Sequence, residues 1–302
     1  MTKNKPLVSV IMNCYNGEKY LHKAINSVLS QTYRNWEIIF WDNCSTDGSS
    51  KIFKSYKDKR LKYFSAPTHE LLYCARNYAI EKSEGKFLAF LDVDDWWLST
   101  KLEQQLPLFA DQSVGLVYSN FYWKNEIKGG EYIAHKNQLP HGFVFNEIMQ
   151  NYVVGLLTII VRRVAFEQLQ PRFNSTYNVI GDFDFAVRLA KIWKFAAIQE
   201  PTAYCRWHGG NLQISGNGQH LEELQQWVLS MSKNYEISSM LVFKKFSNRV
   251  NRMLLVQQAK QGNYRLPIRG IFTVSGFLNK VRIIIALILP NRVLNRFFGN
   301  VL

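Results

Sequence analysis

No apolar run in this 302-residue chain reaches the roughly 20 residues that a membrane-spanning helix needs. The strongest candidate, Val281 to Leu289, is interrupted by Arg282 and closed by Pro290, so it reads as a segment that lies on a surface. The opening residues, Met1 to Pro6, lack the apolar core of a secretory signal and run into a strand-like segment, which makes a cytoplasmic location, or the inner face of the cytoplasmic membrane, the expectation. Cys14, Cys44, Cys74 and Cys205 are too dispersed for a CxxC pair or a disulfide framework, which argues against structural zinc and a secreted scaffold. Neither G-x-G-x-x-G nor a P-loop is present, so the common dinucleotide and nucleotide-triphosphate cradles are missing. Acidic residues stop at Glu236. From Lys244 to Leu302 there are eleven Lys and Arg, which leaves only +3 of the net +14 for the rest of the chain. Such asymmetry points to an anionic partner. Few aromatics are set among these charges and no nucleic-acid module is recognisable, so anionic lipid or a lipid-linked acceptor fits better than nucleic acid. The plainer alternative is a helix pair that packs its apolar face inward and leaves its cations in water.

What is present is the composition of a folded protein, 47% hydrophobic and 20% charged. Leu7 to Met12 is a short β-branched run that reads as a buried strand. Between Glu18 and Gln31 the apolar residues Tyr20, Leu21, Ala24, Ile25, Val28 and Leu29 follow helical spacing with one face on a core. Trp36 to Trp41 predicts a second strand, Ser50 to Tyr56 a helix, Leu61 to Phe64 a strand, Ala75 to Lys82 a helix, and Phe87 to Leu91 a strand buried on both faces. Alternation of this kind is the mark of an α/β fold with a mostly parallel sheet. A helix from Trp96 through Leu108, strands near Gly115 to Ser119 and Leu157 to Val161, and helices over Val164 to Leu169 and Phe183 to Trp193 complete the expectation. The change of composition marks an α/β catalytic body over 1–236, with a donor half to about 110 and an acceptor half after it. A basic, amphipathic helical extension covers 237–302.

Ligands of open α/β sheets bind beyond the carboxyl ends of the strands, and three strand ends here deliver polar clusters: Asn13 to Asn16, Asp42 to Asp47 and Asp92 to Asp95. Carboxylates crowded within four residues repel one another unless a cation or a donor-rich ligand compensates. Hard oxygen ligands of this type suit Mg²⁺ or Mn²⁺ with phosphate oxygens completing the shell. A solvated turn in which Asp94 or Asp95 caps the following helix explains the same residues.

The motif order over Pro6 to Gln105 resembles family 2 glycosyltransferases, inverting enzymes of the GT-A fold. Val8-Ser9-Val10-Ile11-Met12-Asn13-Cys14-Tyr15-Asn16-Gly17 is similar to their first strand and donor loop. Asp42-Asn43-Cys44-Ser45-Thr46-Asp47-Gly48 is similar to their acidic turn, Ala75-Arg76-Asn77 to their Ala-Arg-Asn element, and Asp92-Val93-Asp94-Asp95 to their metal motif. The resemblance implies that Asn13 and Tyr15 line a base pocket, that Asp42 accepts from the uracil N3, that Arg76 contacts base or diphosphate, and that Asp92 holds the ribose side. It implies Asp94 as metal ligand, with Asp95 as the substitute. The departures are Asn43 where a second acid is usual and Cys44 where Gly is usual.

Further along, Gly181-Asp182 resembles the family's Glu-Asp element with Gly181 in place of Glu, which makes Asp182 the catalytic base; a helix N-cap at Asp182 or Asp184 is the competing role. Arg206-Trp207-His208 is similar to a late loop that places His208 at the diphosphate or metal. The other histidines show no ligand spacing and read as ordinary surface or pocket residues. The resemblance therefore implies a metal-dependent inverting transfer from a nucleotide-diphosphate sugar, a UDP-sugar first, to a saccharide or lipid-linked hydroxyl in surface polysaccharide or glycolipid assembly. A binding homologue that has lost transfer is the alternative, with Gly181 its only hint. A phosphatase using Asp-x-Asp would leave the acidic turn and Ala75-Arg76-Asn77 unexplained.

Overall fold

A computed structural model describes residues 5–209 and 218–288, in two compact units divided between residues 211 and 212. The first unit opens with β1 (Val8–Cys14), α1 (Glu18–Leu29), β2 (Trp36–Asp42), α2 (Ser49–Ser55), β3 (Leu61–Ser65), α3 (Leu72–Glu81) and β4 (Phe87–Phe90). Every residue of β1, β2 and β4 is buried, as expected of continuous apolar strands covered on both faces. Leu21, Ala24, Ile25 and Val28 of α1 pack into the core with Val8, Val10 and Met12 of β1.

The remaining elements are β5 (Trp96–Trp97), α4 (Lys101–Gln105), β6 (Val114–Asn125), β7 (Glu131–Ile133), α5 (Phe145–Gln150), β8 (Ile160–Arg162), α6 (Arg163–Glu167), α7 (Gly181–Ala190) and β9 (Lys194–Trp207). The sheet runs β3-β2-β1-β4-β8-β6-β9-β5, with β7 attached to β6. Its first four strands are parallel to one another and β6 is parallel to β9, whereas β8 is antiparallel to β4 and β6, β5 to β9, and β7 to β6. The sheet is therefore mixed, not mostly parallel. Crossover helices enforce parallel strands up to β4, whereas β6 turns directly into β7 as a hairpin. From β1 the order goes outward through β2 and β3, then jumps to β4 on the other side. This switch point opens a crevice at the carboxyl ends of β1 and β4, next to Asn13 and Asp92.

Trp96 and Trp97 do not begin a helix. They pair with Tyr204 and Ala203 of β9, and the helix starts at Lys101. Asp95 draws this stretch to β9 by accepting the Arg206 backbone N–H at 2.8 Å, and Trp97 Nε1 donates to the Leu157 carbonyl at 2.8 Å.

The second unit is helical over its described residues, with helices Gln219–Met231, Tyr235–Ser239, Leu241–Lys260, Arg265–Thr273 and Phe277–Ile288. Trp227 lies 5.5 Å from the ring of Phe246 and 6.2 Å from that of Phe243. Helix Gln219–Met231 thus packs with the basic helix Leu241–Lys260, and the compositional boundary at Glu236 falls inside this unit. No described helix is long and apolar enough to cross a membrane.

Candidate active site

The donor loop begins where β1 ends. Asn13 is buried, and neither its amide nitrogen nor its carbonyl oxygen has a hydrogen-bond partner among the described residues. Such an amide is costly unless something else meets it, which fits a ligand-facing role. Tyr15 follows, 54% exposed, with its ring 4.3 Å from that of His69. His69, an ordinary surface residue by sequence, thus backs the ring expected to stack on a base. A Cβ on Gly17 would stand 2.6 Å from Cγ2 of Val93, so glycine there lets the donor loop press against the acidic loop.

At the end of β2 the acidic turn keeps its shape despite its two departures. Asp42 accepts the Ser45 N–H at 2.8 Å through Oδ1 and the Tyr63 hydroxyl at 2.7 Å through Oδ2. Each oxygen retains a lone pair for a ligand donor. Cys44 adopts φ 67°, a left-handed conformation that glycine takes without strain, which explains why Cys is unusual there. Asn43 receives the Glu70 N–H at 3.1 Å and donates to the Glu70 carbonyl at 2.8 Å. A carboxylate cannot make the second bond, so this departure ties the turn to the 66–70 segment.

The four-residue acidic stretch after β4 separates into distinct roles. Asp92, half-buried, pairs with Arg76 Nη2 at 2.5 Å. Arg76 is buried on α3, its second terminal nitrogen Nη1 has no protein partner, and its guanidinium lies 4.8 Å from the Tyr73 ring centroid. Asp94 Oδ2 stands 3.0 Å from His208 Nε2. Burial, followed by the Asp92 charge, pushes the Asp94 carboxyl above the usual range. Asp95 is turned inward and spent on the Arg206 backbone; burial, then Asp94 and Asp92, drive its carboxyl well above the usual range. Arg206 also donates to the Asp94 carbonyl at 2.8 Å, pairs with Glu126 and lies over Tyr20 and Trp96. It straps the acidic loop to β9.

Asp182 occupies the first turn of α7, whose N-cap position is Ile180 with no side-chain cap, so neither Asp182 nor Asp184 caps the helix. Asp184 pairs with Arg188 at 2.7 Å. Asp182 instead accepts from two phenols, Tyr73 at 3.2 Å on Oδ1 and Tyr152 at 3.3 Å on Oδ2. These are long for O–H···O bonds, a geometry common in catalytic groups before substrate is bound. Burial raises the Asp182 carboxyl above its usual value, while the Phe183 backbone N–H, then Arg76 and the two phenols, hold the rise back. Tyr73 also explains Gly181: a Cβ there would come within 2.4 to 2.6 Å of the Tyr73 ring. The position of the usual Glu is filled by an aromatic ring, and the sole hint of a lost activity has a steric cause. Tyr73 and Tyr152 were not legible as site residues, because they lie 109 and 30 residues from Asp182 in sequence.

The structure thus brings Arg76, Asp92, Tyr73 and Asp182 into one series of contacts, an ion pair, a cation–π contact and a hydrogen bond, and Asp94 with His208 into a second pair beside Asp92. Asn13, Tyr15 and Asp42 line the neighbouring strand ends. This is the outline of a sugar-nucleotide transferase, with a nucleotide side at the switch point and a carboxylate on the acceptor side.

The glycosyl transferase family 2 model matches residues 9–169. The chain is 38% identical over 212 residues to an Escherichia coli UDP-Glc:alpha-D-GlcNAc-diphosphoundecaprenol beta-1,3-glucosyltransferase, WfaP, which covers 69% of this chain and 80% of that one. It therefore belongs to glycosyl transferase family 2. Membership of this family makes glycosyl transfer its class of activity. Among solved structures, S. aureus TarS in complex with UDP aligns with a TM-score of 0.57 over 93% of this chain and 78% of that chain, at 17% identity. Pyrobaculum calidifontis mannosyltransferase PcManGT, in complex with GDP-Man and Mn2+, aligns with a TM-score of 0.58 over 98% of this chain and 88% of that chain, at 16% identity. At those identities the likeness shows the fold, an α/β architecture of GT-A type.

Proposed function

We propose that this enzyme transfers a hexosyl group from a UDP-sugar, with inversion, to a hydroxyl of a diphosphate-lipid-linked saccharide. The observation that carries the reading is the series of contacts Asp182–Tyr73–Arg76–Asp92, a hydrogen bond, a cation–π contact and an ion pair, which links a carboxylate base to the donor-side acid. Asn13, Tyr15 and Asp42 form the base pocket; an acceptor carboxylate at Asp42 favours uracil, whose N3–H donates, over cytosine, whose N3 does not. Support for the uridine donor and the lipid-linked acceptor comes from WfaP, whose name states both.

Asp94 and His208 offer a carboxylate oxygen and an imidazole nitrogen 3.0 Å apart, with Asp92 adjacent. No group of three metal-ligating side chains is assembled among the described residues. Two protein ligands fit a cation that takes the rest of its shell from diphosphate and water, the usual habit of Mg²⁺ and also suited to Mn²⁺. Such an ion supplies charge compensation to the departing diphosphate.

The chain's own residues do the rest. Arg76, anchored by Asp92, offers its unpartnered Nη1 to the diphosphate. Asp182 takes the proton of the acceptor hydroxyl as the new C–O bond forms and the anomeric bond to the diphosphate breaks, the electron pair leaving with UDP. Its raised pKa makes its ionised form a stronger base than an ordinary carboxylate. The test is NMR of the product made from UDP-glucose, UDP-galactose and UDP-N-acetylglucosamine with an N-acetylglucosaminyl diphosphate-lipid acceptor. A β-linked product from one uridine donor is expected; an α-linked product, or turnover with GDP-sugars alone, contradicts the reading.

A further inference from the structure

Helix Phe277–Ile288 is apolar on two opposite sides. Ile283 and Ala286 are buried against Val256 and Ala259 of helix Leu241–Lys260 and against Val274. Turned away from them at i, i+7 and i+11 are Phe277, 80% exposed, Ile284, 39%, and Ile288, 72%, with Leu278 exposed beside them. Helical spacing puts the first three within one narrow stripe. Exposed large apolar side chains in a continuous stripe mark an interaction surface, since scattered ones need no explanation and aligned ones do. On the preceding helix, Arg265–Thr273, Ile268 is exposed between exposed Arg265 and Arg269, with exposed Tyr264 at its start.

The charge around this surface has one sign. No Asp or Glu follows Glu236. Arg252, on Leu241–Lys260, is 4% exposed, yet its Nε and Nη1 have no hydrogen-bond partner among the described residues. Instead of an acid, the charges acting on it are those of Arg249 and Arg282, and burial together with these two arginines lowers its proton affinity. Burying a guanidinium beside two others is unfavourable unless an anion compensates. Arg282 lies on the same helix as the apolar stripe, so the cation cluster and the stripe are parts of one amphipathic unit.

We propose that the helical unit, through Phe277, Leu278, Ile284 and Ile288 with Arg265, Arg269 and Arg282, docks on the surface of an anionic phospholipid bilayer. The stripe enters the headgroup–acyl boundary and these three arginines meet phosphates, the arrangement of an interfacial helix and not a spanning one. The occupant follows from the combination: a protein partner would satisfy the stripe, but solvent-facing arginines beside it, with no acid after Glu236 to pair them, call for a dense anionic surface. The inference goes beyond the proposed reaction, since it does not depend on which sugar or acceptor is used.

Co-sedimentation of the full chain with vesicles of phosphatidylglycerol in phosphatidylcholine tests it, against phosphatidylcholine alone. Wild-type protein is expected to bind the mixed vesicles, to be released by high salt, and to bind neutral vesicles at least tenfold more weakly. Phe277→Ser with Ile288→Ser should lose binding by more than tenfold, because both side chains leave water on docking. Arg265→Gln and Arg269→Gln, exposed and so harmless to the fold, should each weaken it about fivefold, the effect of about one cation at an anionic surface. Equal binding to neutral vesicles, no loss in the serine variant, or a stripe-dependent dimer in sedimentation equilibrium without vesicle binding would each overturn the proposal. Transfer to a water-soluble acceptor analogue should be unchanged in the serine variant, which separates failure here from failure of the catalytic reading.

Discussion

The proposed donor-side loops and the proposed acceptor-side base are built by different means. Around the crevice between β1 and β4, each polar group lies within a few residues of the strand that delivers it: Asn13 and Tyr15 after β1, Asp42 after β2, Asp92 and Asp94 after β4. On the acceptor side Asp182 depends on Tyr73 of α3 and on Tyr152 beyond α5. Local motifs specify the first kind of site; packing across the whole unit specifies the second. Even inside one motif the division recurs, because Asp94 faces His208 while Asp95 faces the backbone of β9.

The sharpest way to break this comparison is to remove one carboxylate from each side. Asp182→Asn should lower kcat by about 10²- to 10⁴-fold, the usual contribution of a general base, while leaving the affinity for manganese and UDP intact. Asp94→Asn should lower transfer as severely and also weaken metal-dependent UDP binding. Initial rates with calorimetry check both. If Asp182→Asn loses donor affinity as well, the two sides are not separate.

A smaller effect is expected from the packing that replaces the family's Glu. Gly181→Ala pushes a methyl group into the Tyr73 ring and should cost about 1–3 kcal/mol in urea unfolding, the scale of core overpacking. An unchanged midpoint would mean that Tyr73 moves freely, and its link to Asp182 would then be incidental.

Asp95 gives a test of opposite sign. A carboxyl whose folded pKa lies above its unfolded value binds protons more tightly in the folded state, so its contribution to stability falls as pH rises from the ordinary carboxylate range to the raised value. Asp95→Asn removes that loss and keeps an acceptor for the Arg206 N–H. Stability at neutral pH should be unchanged or higher by up to about 1 kcal/mol, and less dependent on pH across that window. Clear destabilisation at neutral pH would show that the charged carboxylate is required.

The smallest effect belongs to the phenols. Tyr73→Phe and Tyr152→Phe each remove a donor that favours the ionised form of Asp182, so the acid limb of kcat/KM should move to higher pH in each variant. A merely structural loss would lower the plateau without moving the limb.

Much of the nucleotide side could be read from residues alone, since buried apolar strands end in polar turns at regular intervals. β1 to β4 and the helices between them lie within a few residues of expectation. Where long-range pairing decides, the reading failed: Trp96 and Trp97 look like a helix start but join β9, and the sheet becomes mixed beyond β4. Gly181 looked like a lost catalytic position because the ring that fills it comes from α3, 109 residues from Asp182. The same holds for His69 beneath Tyr15, whose role has no local signature.

The most direct test is calorimetric titration of UDP, with and without manganese, into the wild-type protein and the Asp94→Asn and Asp95→Asn variants. Metal-enhanced UDP binding should be present in the wild type, retained in Asp95→Asn and lost in Asp94→Asn. Equal enhancement in all three would contradict a metal-diphosphate site at the end of β4.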